Sequence, residues 1–396
     1  MKIAIIGTGI AGLGAAYALS RLHDVELFEA NAVAGGHSNT VTQGSHELDT
    51  GFIVHNRESY PRLTRLFREL DVETQPSEMS FSMSCGCGLE WSSRRPWRAG
   101  PRLLQEMLRF LRTAGAAETE GKTFDRFLRD EGYSESFRWH YLVPMTSALW
   151  STAPGAALEF PAAYGIDFFR NHAMLGLRRD RWRTVSGGSR SYVSTLLDRI
   201  GAPARIDTPV RSLGRDASGV QVRTEADETL RFDAAVVATS APRALALLED
   251  PTAEERSLLS VFSTTTNETV LHSDARLLPR RVSDRSSWNY QSPGCGAHAD
   301  RPSLTYSLNR LQKLEADEEY CVTLNRTDEI DPAAVISVID YEHPQMTFAS
   351  LAAAELARAR GAVRHTAFAG AWQGNGFHED GLASGLRAAA AFGAEW

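Results

Sequence analysis

Residues 2–29 restrict the fold more than any other part of the chain. An apolar stretch, Lys2 to Ile6, runs into Gly7-x-Gly9-x-x-Gly12, and Val25-Glu26-Leu27-Phe28-Glu29 follows. A lysine, an apolar run and small residues also outline a secretory leader. A leader would be followed by unrelated sequence, whereas a dinucleotide fold needs a second strand ending in a carboxylate roughly 20 residues after the turn. That strand is present, so the segment reads as part of the fold. Gly7 suits the tight turn, Gly9 lets backbone approach a pyrophosphate, and Gly12 allows helix to pack on strand. Ile10 and Ala11 then begin a helix whose N–H groups face the anion. Glu29, followed by Ala30, is placed to accept hydrogen bonds from ribose hydroxyls.

The 396 residues suffice for two domains with sizeable cores. A net charge of −7 gives no support to a nucleic-acid partner. No apolar run is long enough to span a bilayer. The four cysteines, Cys85, Cys87, Cys295 and Cys321, do not suggest a disulfide framework in a chain this long. Cys85-x-Cys87 has no second pair or His-x-x-x-His close by in sequence, so it reads as two loop cysteines without a ligand role, and no metal is expected. A cytoplasmic location follows, with peripheral contact to the inner membrane face as an option considered below.

Ala34-Gly35-Gly36-His37 lets a loop lie against a bulky ligand, and a short strand ending at Gly51-Phe52 brings backbone to the same edge. Residues 60–180 read mostly helical, with apolar spacing over Tyr60 to Leu70, Leu103 to Leu111 and Phe124 to Leu128. A helix over Ser191 to Ile200 precedes a β-rich stretch that includes Val210. It ends in the buried strand Ala234 to Thr239, which contains Ala238. Strands return from Thr264 to Tyr341, and the chain closes with Thr366 to Trp372, a turn and a helix beginning near Asp380. The expected fold is α/β. A discontinuous, doubly wound Rossmann-like domain (1–57, 183–250, 361–396) carries an inserted mixed α+β substrate domain (58–182, mostly helical, and 251–360, strand-rich).

The glycine turn, Glu29, Gly35-Gly36, Val236 to Thr239 and the closing Phe368-Ala369-Gly370 with Gly381-Leu382-Ala383-Ser384-Gly385-Leu386-Arg387 together resemble the flavin amine oxidase and phytoene desaturase superfamily. Further stretches are similar to a bacterial group known as predicted NAD/FAD-binding oxidoreductases: Asp49 to Val54, Gln75 to Phe81, His140 to Met145 and Gly374 to Gly381. The resemblance implies FAD, and the lack of a cysteine in the closing flavin segments predicts that it is held non-covalently. The resemblance also implies a link to modification of unsaturated or methyl-branched fatty acyl chains, in company with a cyclopropane-synthase-like methyltransferase. By the superfamily pattern the closing helix points its N-terminus at the flavin pyrimidine edge, with Glu379, Asp380, Gly381 and Leu382 as the contacting backbone. A helix N-terminus suits the charge that reduced flavin carries there.

Two departures matter. Many amine oxidases place a lysine near flavin N5, but Asn267-Glu268-Thr269-Val270-Leu271, the corresponding strand, has none. Only Lys2, Lys122 and Lys313 occur in the chain. The family's Gly-Gly-Arg is here Gly35-Gly36-His37. His378 is the first choice for handling a proton, because imidazole titrates near neutral pH. Trp288-Asn289-Tyr290 and Tyr306 with Asn309 and Gln312 are candidates for a polar-aromatic wall around the reacting carbon, and Trp372 lies with His378 in the segment expected to face the flavin. The expected reaction is hydride transfer from a hydrophobic, lipid-like substrate to N5. An amine oxidase without the lysine, a redox-neutral double-bond isomerase and a non-catalytic scaffold for a methyltransferase remain open. Residues 94–112 read as a basic amphipathic helix with Leu103, Leu104, Met107, Leu108 and Leu111 on one face. That face suits packing onto its own domain, or contact with an anionic membrane.

Overall fold

The computed structural model describes residues 1–175, 181–296 and 300–396. Parts of both expected substrate segments, 176–180 and 297–299, lie outside the described residues. Five parallel strands form one sheet in the order Thr366–Phe368, Ala234–Val237, Lys2–Ile6, Asp24–Phe28, Ala204–Arg205. Start, middle and end of the chain all contribute to it.

Its central strands are apolar on both faces because both faces are covered. Ile3, Ile5, Val25 and Leu27 pack under the helices Ile10–Leu19, Arg190–Ile200 and His378–Ala390. Ala4, Ile6, Val237 and Phe368 pack against a three-stranded antiparallel sheet over 210–232 and the helix Ala241–Leu247.

Two helices expected in the substrate domain belong by packing to this core. Leu63, Leu66 and Phe67 of Pro61–Glu69 share a cluster with Ile3 and Leu13. Ala353 and Ala354 of Phe348–Ala359 share one with Ala4 and Val237.

The other layer is a seven-stranded sheet. Its order is Val335–Pro344, Thr264–His272, Cys321–Leu324, Leu304–Ser307, Trp288–Ser292, Phe81–Cys85, Glu90–Ser92. Residues 60–180 are therefore less helical than expected, since Thr74–Pro76, Phe81–Cys85 and Glu90–Ser92 are strands. They are short, two of them contain serine, and none offers an aliphatic run to announce it.

Against this sheet packs a helical core rich in aromatic rings, among them Phe124, Phe127, Phe137, Trp150, Phe160 and Phe169. The helix Pro101–Thr113 turns Leu103, Met107 and Phe110 into that core. The expected apolar face is thus rotated. Phe110 reaches the rings of Phe137 and Phe127 at 5.5 and 6.4 Å, while Leu108 stays 42% exposed. Among the described residues no helix is long and apolar enough to cross a membrane.

Candidate functional site

The glycine turn sits where the first strand meets the first helix. Gly7 adopts φ 98° and donates its N–H to Phe28 O at 2.8 Å. A Cβ on Gly7 would lie 2.7 Å from Ala238 O, and one on Gly12 only 1.9 Å from Gly7 O. Those two glycines permit close approach within the protein. Gly9 differs, because a Cβ there would meet nothing within 4 Å. Space therefore opens beside Gly9, at a helix N-terminus with no side-chain cap, next to the backbone of Ile10 and Ala11. Gly9 also bridges to Gly35, and Gly35 and Gly36 take φ 124° and 58°. This cradle fits a pyrophosphate.

Glu29 is buried at the end of the second strand. Its Oε2 accepts both the Thr8 N–H at 3.1 Å and the Thr8 hydroxyl, and Oε1 accepts the Asn31 N–H at 2.9 Å. Of roughly four lone-pair sites on a carboxylate, this leaves one free, so Glu29 has room for a single ribose hydroxyl. Ala30 is exposed beside it. Thr208 N–H donates to Glu29 O at 2.7 Å and brings Val210 to the same end. Ala238 N–H donates to Ile6 O at 2.8 Å, and Gly370 N–H to Ser384 Oγ at 2.8 Å. Both therefore join the C-terminal edge of the sheet.

The closing helix begins at His378, two residues earlier than expected. Gly381 N–H already bonds to Phe377 O at 3.0 Å. The donors left over at this terminus are thus those of His378, Glu379 and Asp380, not those of Gly381 and Leu382. The latter pair serve helix packing instead. A Cβ on Gly381 would lie 2.7 Å from Ile10 Cγ2, and Leu382 Cδ1 lies 2.6 Å from where Gly14 would carry one. The Glu379 carboxylate accepts the N–H groups of Arg62 and Leu63 at 3.0 and 2.9 Å and so caps the helix Pro61–Glu69. Asp380 accepts Phe377 N–H at 3.0 Å, and burial raises its pKa.

Around the helix start the fold gathers histidines from distant segments. His378 stacks on Phe52, centroids 3.9 Å apart and planes 10° off parallel. Its Nε2 lies 2.6 Å from the Tyr192 hydroxyl. His37 stacks on Tyr341 at 4.7 Å and meets the edge of His343 at 5.7 Å. Gly51 is needed here, since a Cβ would sit 2.3 Å from His37 O. His37 keeps an exposed surface although the protein desolvates it, as expected of a side chain lining a deep cleft.

Burial, aided by the neighbouring His37, lowers the pKa of His343 to about 3. Burial, with His37 and His55, does the same to His378. Both imidazoles are neutral at physiological pH. His378 therefore serves as a hydrogen-bonding group, without the near-neutral titration expected of it.

The strand position where a lysine was sought holds buried Asn267. Its Nδ2 donates to Ser151 O at 3.2 Å and lies 3.0 Å from His343 Nδ1. That contact leaves the His343 proton on Nε2. Tyr192, Tyr341 and His343 escaped the sequence reading. The spacing of Tyr341 and His343 in a strand puts both on one face and was the available signal.

Two catalytic candidates are structural. The Asn289 amide is buried and fully used. It accepts from Ser82 Oγ and Ser286 N at 2.8 Å each, and donates to Ser286 O and Thr305 O at 2.7 and 3.1 Å. Trp372 is buried against Phe262 at 4.6 Å and donates its indole N–H to Thr239 O at 3.1 Å. Tyr306 is partly exposed and edge-on to Trp288 at 5.0 Å, and burial raises its pKa.

An interrupted parallel sheet with a glycine cradle, a ribose carboxylate and a second helix terminus at one edge defines a dinucleotide-dependent oxidoreductase of the flavoprotein type. The chain belongs to the flavin containing amine oxidoreductase family, whose model matches residues 10–307. It is accordingly an FAD-dependent oxidoreductase with a flavin cofactor. Among solved structures it is similar to cyclohexylamine oxidase from Brevibacterium oxydans (19% identity, TM-score 0.70, 98% of each chain covered). It is also similar to putrescine oxidase bound to putrescine (15%, 0.68, 99% of each chain). A third is a fatty acid isomerase from P. acnes that produces CLA (17%, 0.66, 97% of this chain and 96% of that one). At these identities the likeness establishes the fold. No curated protein matches significantly.

Proposed function

We propose that the enzyme binds FAD non-covalently and removes hydride from one carbon of a hydrophobic acyl substrate, the neighbouring carbon releasing a proton to water as a double bond forms. One observation carries the substrate class: Trp288 and Tyr306 pack against both the helical aromatic cluster and the strand cluster of Leu271, Leu308 and Val322. They form an apolar seam between the two layers. An acyl chain gains about 0.8 kcal/mol per buried CH₂ from such walls. A small cationic amine instead needs polar partners to offset its desolvation.

The polar groups described around the closing helix are neutral His343 and His378, the hydroxyls of Tyr192 and Tyr341, buried Asn267, and the Glu379 and Asp380 carboxylates, which already accept the N–H groups of Arg62, Leu63 and Phe377. Lys2 and Lys122 are engaged elsewhere, with Glu26 at 3.0 Å and Asp130 at 3.2 Å. The Gly9 cradle would hold the pyrophosphate, Glu29 one ribose hydroxyl, and the N–H groups of His378 and Glu379 the pyrimidine edge. Bound flavin supplies the redox chemistry, accepting hydride at N5. Segment 361–396 contains no cysteine, which supports a flavin held without a thioether.

Redox-neutral isomerisation of an acyl double bond is the second reading, favoured by the similarity to a fatty acid isomerase. Anaerobic mixing of yellow holoenzyme with unsaturated or methyl-branched acyl chains should bleach the flavin band for net oxidation. A perturbed band with shifted double bonds would indicate isomerisation. Rapid bleaching by simple mono- or polyamines, with acyl chains inert, would overturn the lipid reading in favour of amine oxidation.

A further inference from the structure

Cys85 and Cys87 do not stand alone once the chain is folded. Cys85 ends the strand Phe81–Cys85, and Cys87 lies in the turn that follows. The neighbouring strand runs parallel, with Ser292 opposite Cys85, and its continuation carries Cys295 to the same edge. A short π-helical stretch, Arg138–Leu142, brings His140 across from the helical layer. Such wide turns recur at functional sites because they re-aim one side chain. The expectation of two loop cysteines without ligand neighbours rested on linear distance, and the sheet pairing removes its premise.

The ligand atoms of Cys85, Cys87, His140 and Cys295 all lie within 4.8 Å of one another. His140 Nε2 is 3.6 Å from Cys87 Sγ and 3.3 Å from Cys295 Sγ, and Cys85 Sγ is 3.9 Å from Cys295 Sγ. A tetrahedral zinc with bonds of about 2.3 Å to sulfur and about 2.0 Å to nitrogen has S–S edges near ~3.8 Å and S–N edges near ~3.6 Å. The three contacts at 3.3–3.9 Å lie close to those edges, whereas a disulfide requires about 2.05 Å. From this geometry we propose that Cys85, Cys87, Cys295 and His140 form a closed, structural Cys₃His zinc site, distinct from the flavin site.

The surroundings suit a metal. His140 Nδ1 lies 3.1 Å from Ser136 O, which fixes that nitrogen as the N–H donor and leaves Nε2 its lone pair. The His140 carbonyl is held by Trp91 Nε1 at 2.9 Å. A Cβ on Gly86 would lie 2.1 Å from Pro293 O, so the two sulfur-bearing loops are pressed together there. Binding releases the three thiol protons to solvent, the thiolates taking their place on Zn²⁺. With four protein ligands no position stays open for substrate, so the role is to pin the ends of two cleft-forming strands to the helical layer.

Holoenzyme purified without chelators from zinc-supplemented cells should contain one zinc per chain by plasma mass spectrometry. A mercurial that blocks thiols should release it. Cobalt(II) exchanged into the site should give intense tetrahedral d–d bands at wavelengths beyond the flavin absorption. Cys87→Ser and Cys295→Ser should each weaken zinc binding by at least about 100-fold. Flavin content should stay near wild type, because neither residue touches the glycine cradle. His140→Cys, which keeps four ligands, should retain the metal.

Wild-type protein that is metal-free as isolated and gives no tetrahedral cobalt spectrum would overturn the site. So would zinc held equally tightly in both serine variants, or a Cys85–Cys295 disulfide in protein handled anaerobically. Should the serine variants fail to fold, the cobalt spectrum of the wild type decides alone.

Discussion

Gly9→Val separates space kept for a ligand from space lost to packing. Gly9 has φ −65° and ψ 173°, a backbone conformation open to any L-residue. Its Cβ would meet nothing within 4 Å, so the apoprotein can accept valine without a clash. The cost to the apoprotein is a poorer helix N-cap, about 1 kcal/mol or less. With FAD the balance changes. At 100 times its Kd the cofactor stabilises the wild type by about 2.7 kcal/mol. At about 2–4 °C per kcal/mol this raises Tm by roughly 5–10 °C. Valine methyls in the pyrophosphate position should abolish that rise and leave colourless, folded protein. Gly12→Ala is the contrasting control: its Cβ would lie 1.9 Å from Gly7 O, so it should lower stability with or without FAD by about 3 kcal/mol or more. The assay is flavin released per chain, with thermal melts in the presence and absence of FAD. A Gly9→Val protein that carries stoichiometric flavin and shows the wild-type rise in Tm would refute the placement of the pyrophosphate.

Asn289→Ala strands four hydrogen-bonding partners in a buried site and should cost at least about 2 kcal/mol in denaturant unfolding. The surviving folded enzyme should turn over at the wild-type rate, and a selective loss of kcat would instead restore a catalytic role. Glu379→Ala removes the cap from Arg62 and Leu63, so it should destabilise by about 0.5–2 kcal/mol while flavin content is unchanged. Stability should also fall with acid. Burial lowers buried His55, His172 and His272 to about 4, from an unfolded value near 6.5. Below pH ~6.5 the unfolded chain binds protons that the native state refuses. Their stabilisation is therefore complete above that pH and lost as pH falls toward 4, at up to about 1.4 kcal/mol per pH unit for each group. Urea midpoints that stay level from pH 6.5 to 4.5 would contradict this.

The nucleotide half of the molecule was legible because its signals are local. Gly7 and Gly12 answer to contacts with Ala238 and with each other, Gly9 borders open space, and the strand Val25 to Glu29 ends where the ribose carboxylate must stand. The seven-stranded sheet was harder to read. Phe81–Cys85 carries Ser82, Ser84 and Cys85 at positions where a sheet is usually aliphatic, and its stability comes from pairing with Trp288–Ser292, some 200 residues away in sequence. Its hydroxyls are legitimate there because Ser82 Oγ donates to Asn289. That same bond explains why Asn289 was misread. A buried amide in an aromatic strand looks identical in sequence whether it faces substrate or holds two strands together.

The cleft poses the same difficulty in a sharper form. His378 was chosen for a titration near neutral pH, a property of free imidazole and not of this site. Phe52 covers its ring, His37 and His55 add positive charge if protonated, and the pKa falls to about 3. His37, Phe52, Tyr192 and the strand pair Tyr341 and His343 come from four separate segments, so no spacing rule connects one segment to the next. The consequence is chemical. Neutral His343 and His378 offer hydrogen bonds and stacking surfaces, and the strand Asn267 to Leu271 supplies no lysine. A substrate with no charge near its reacting carbon suits such a site better than an ammonium that must first lose a proton. The neutrality of the histidines and the apolar seam of Trp288 and Tyr306 therefore favour the same substrate class.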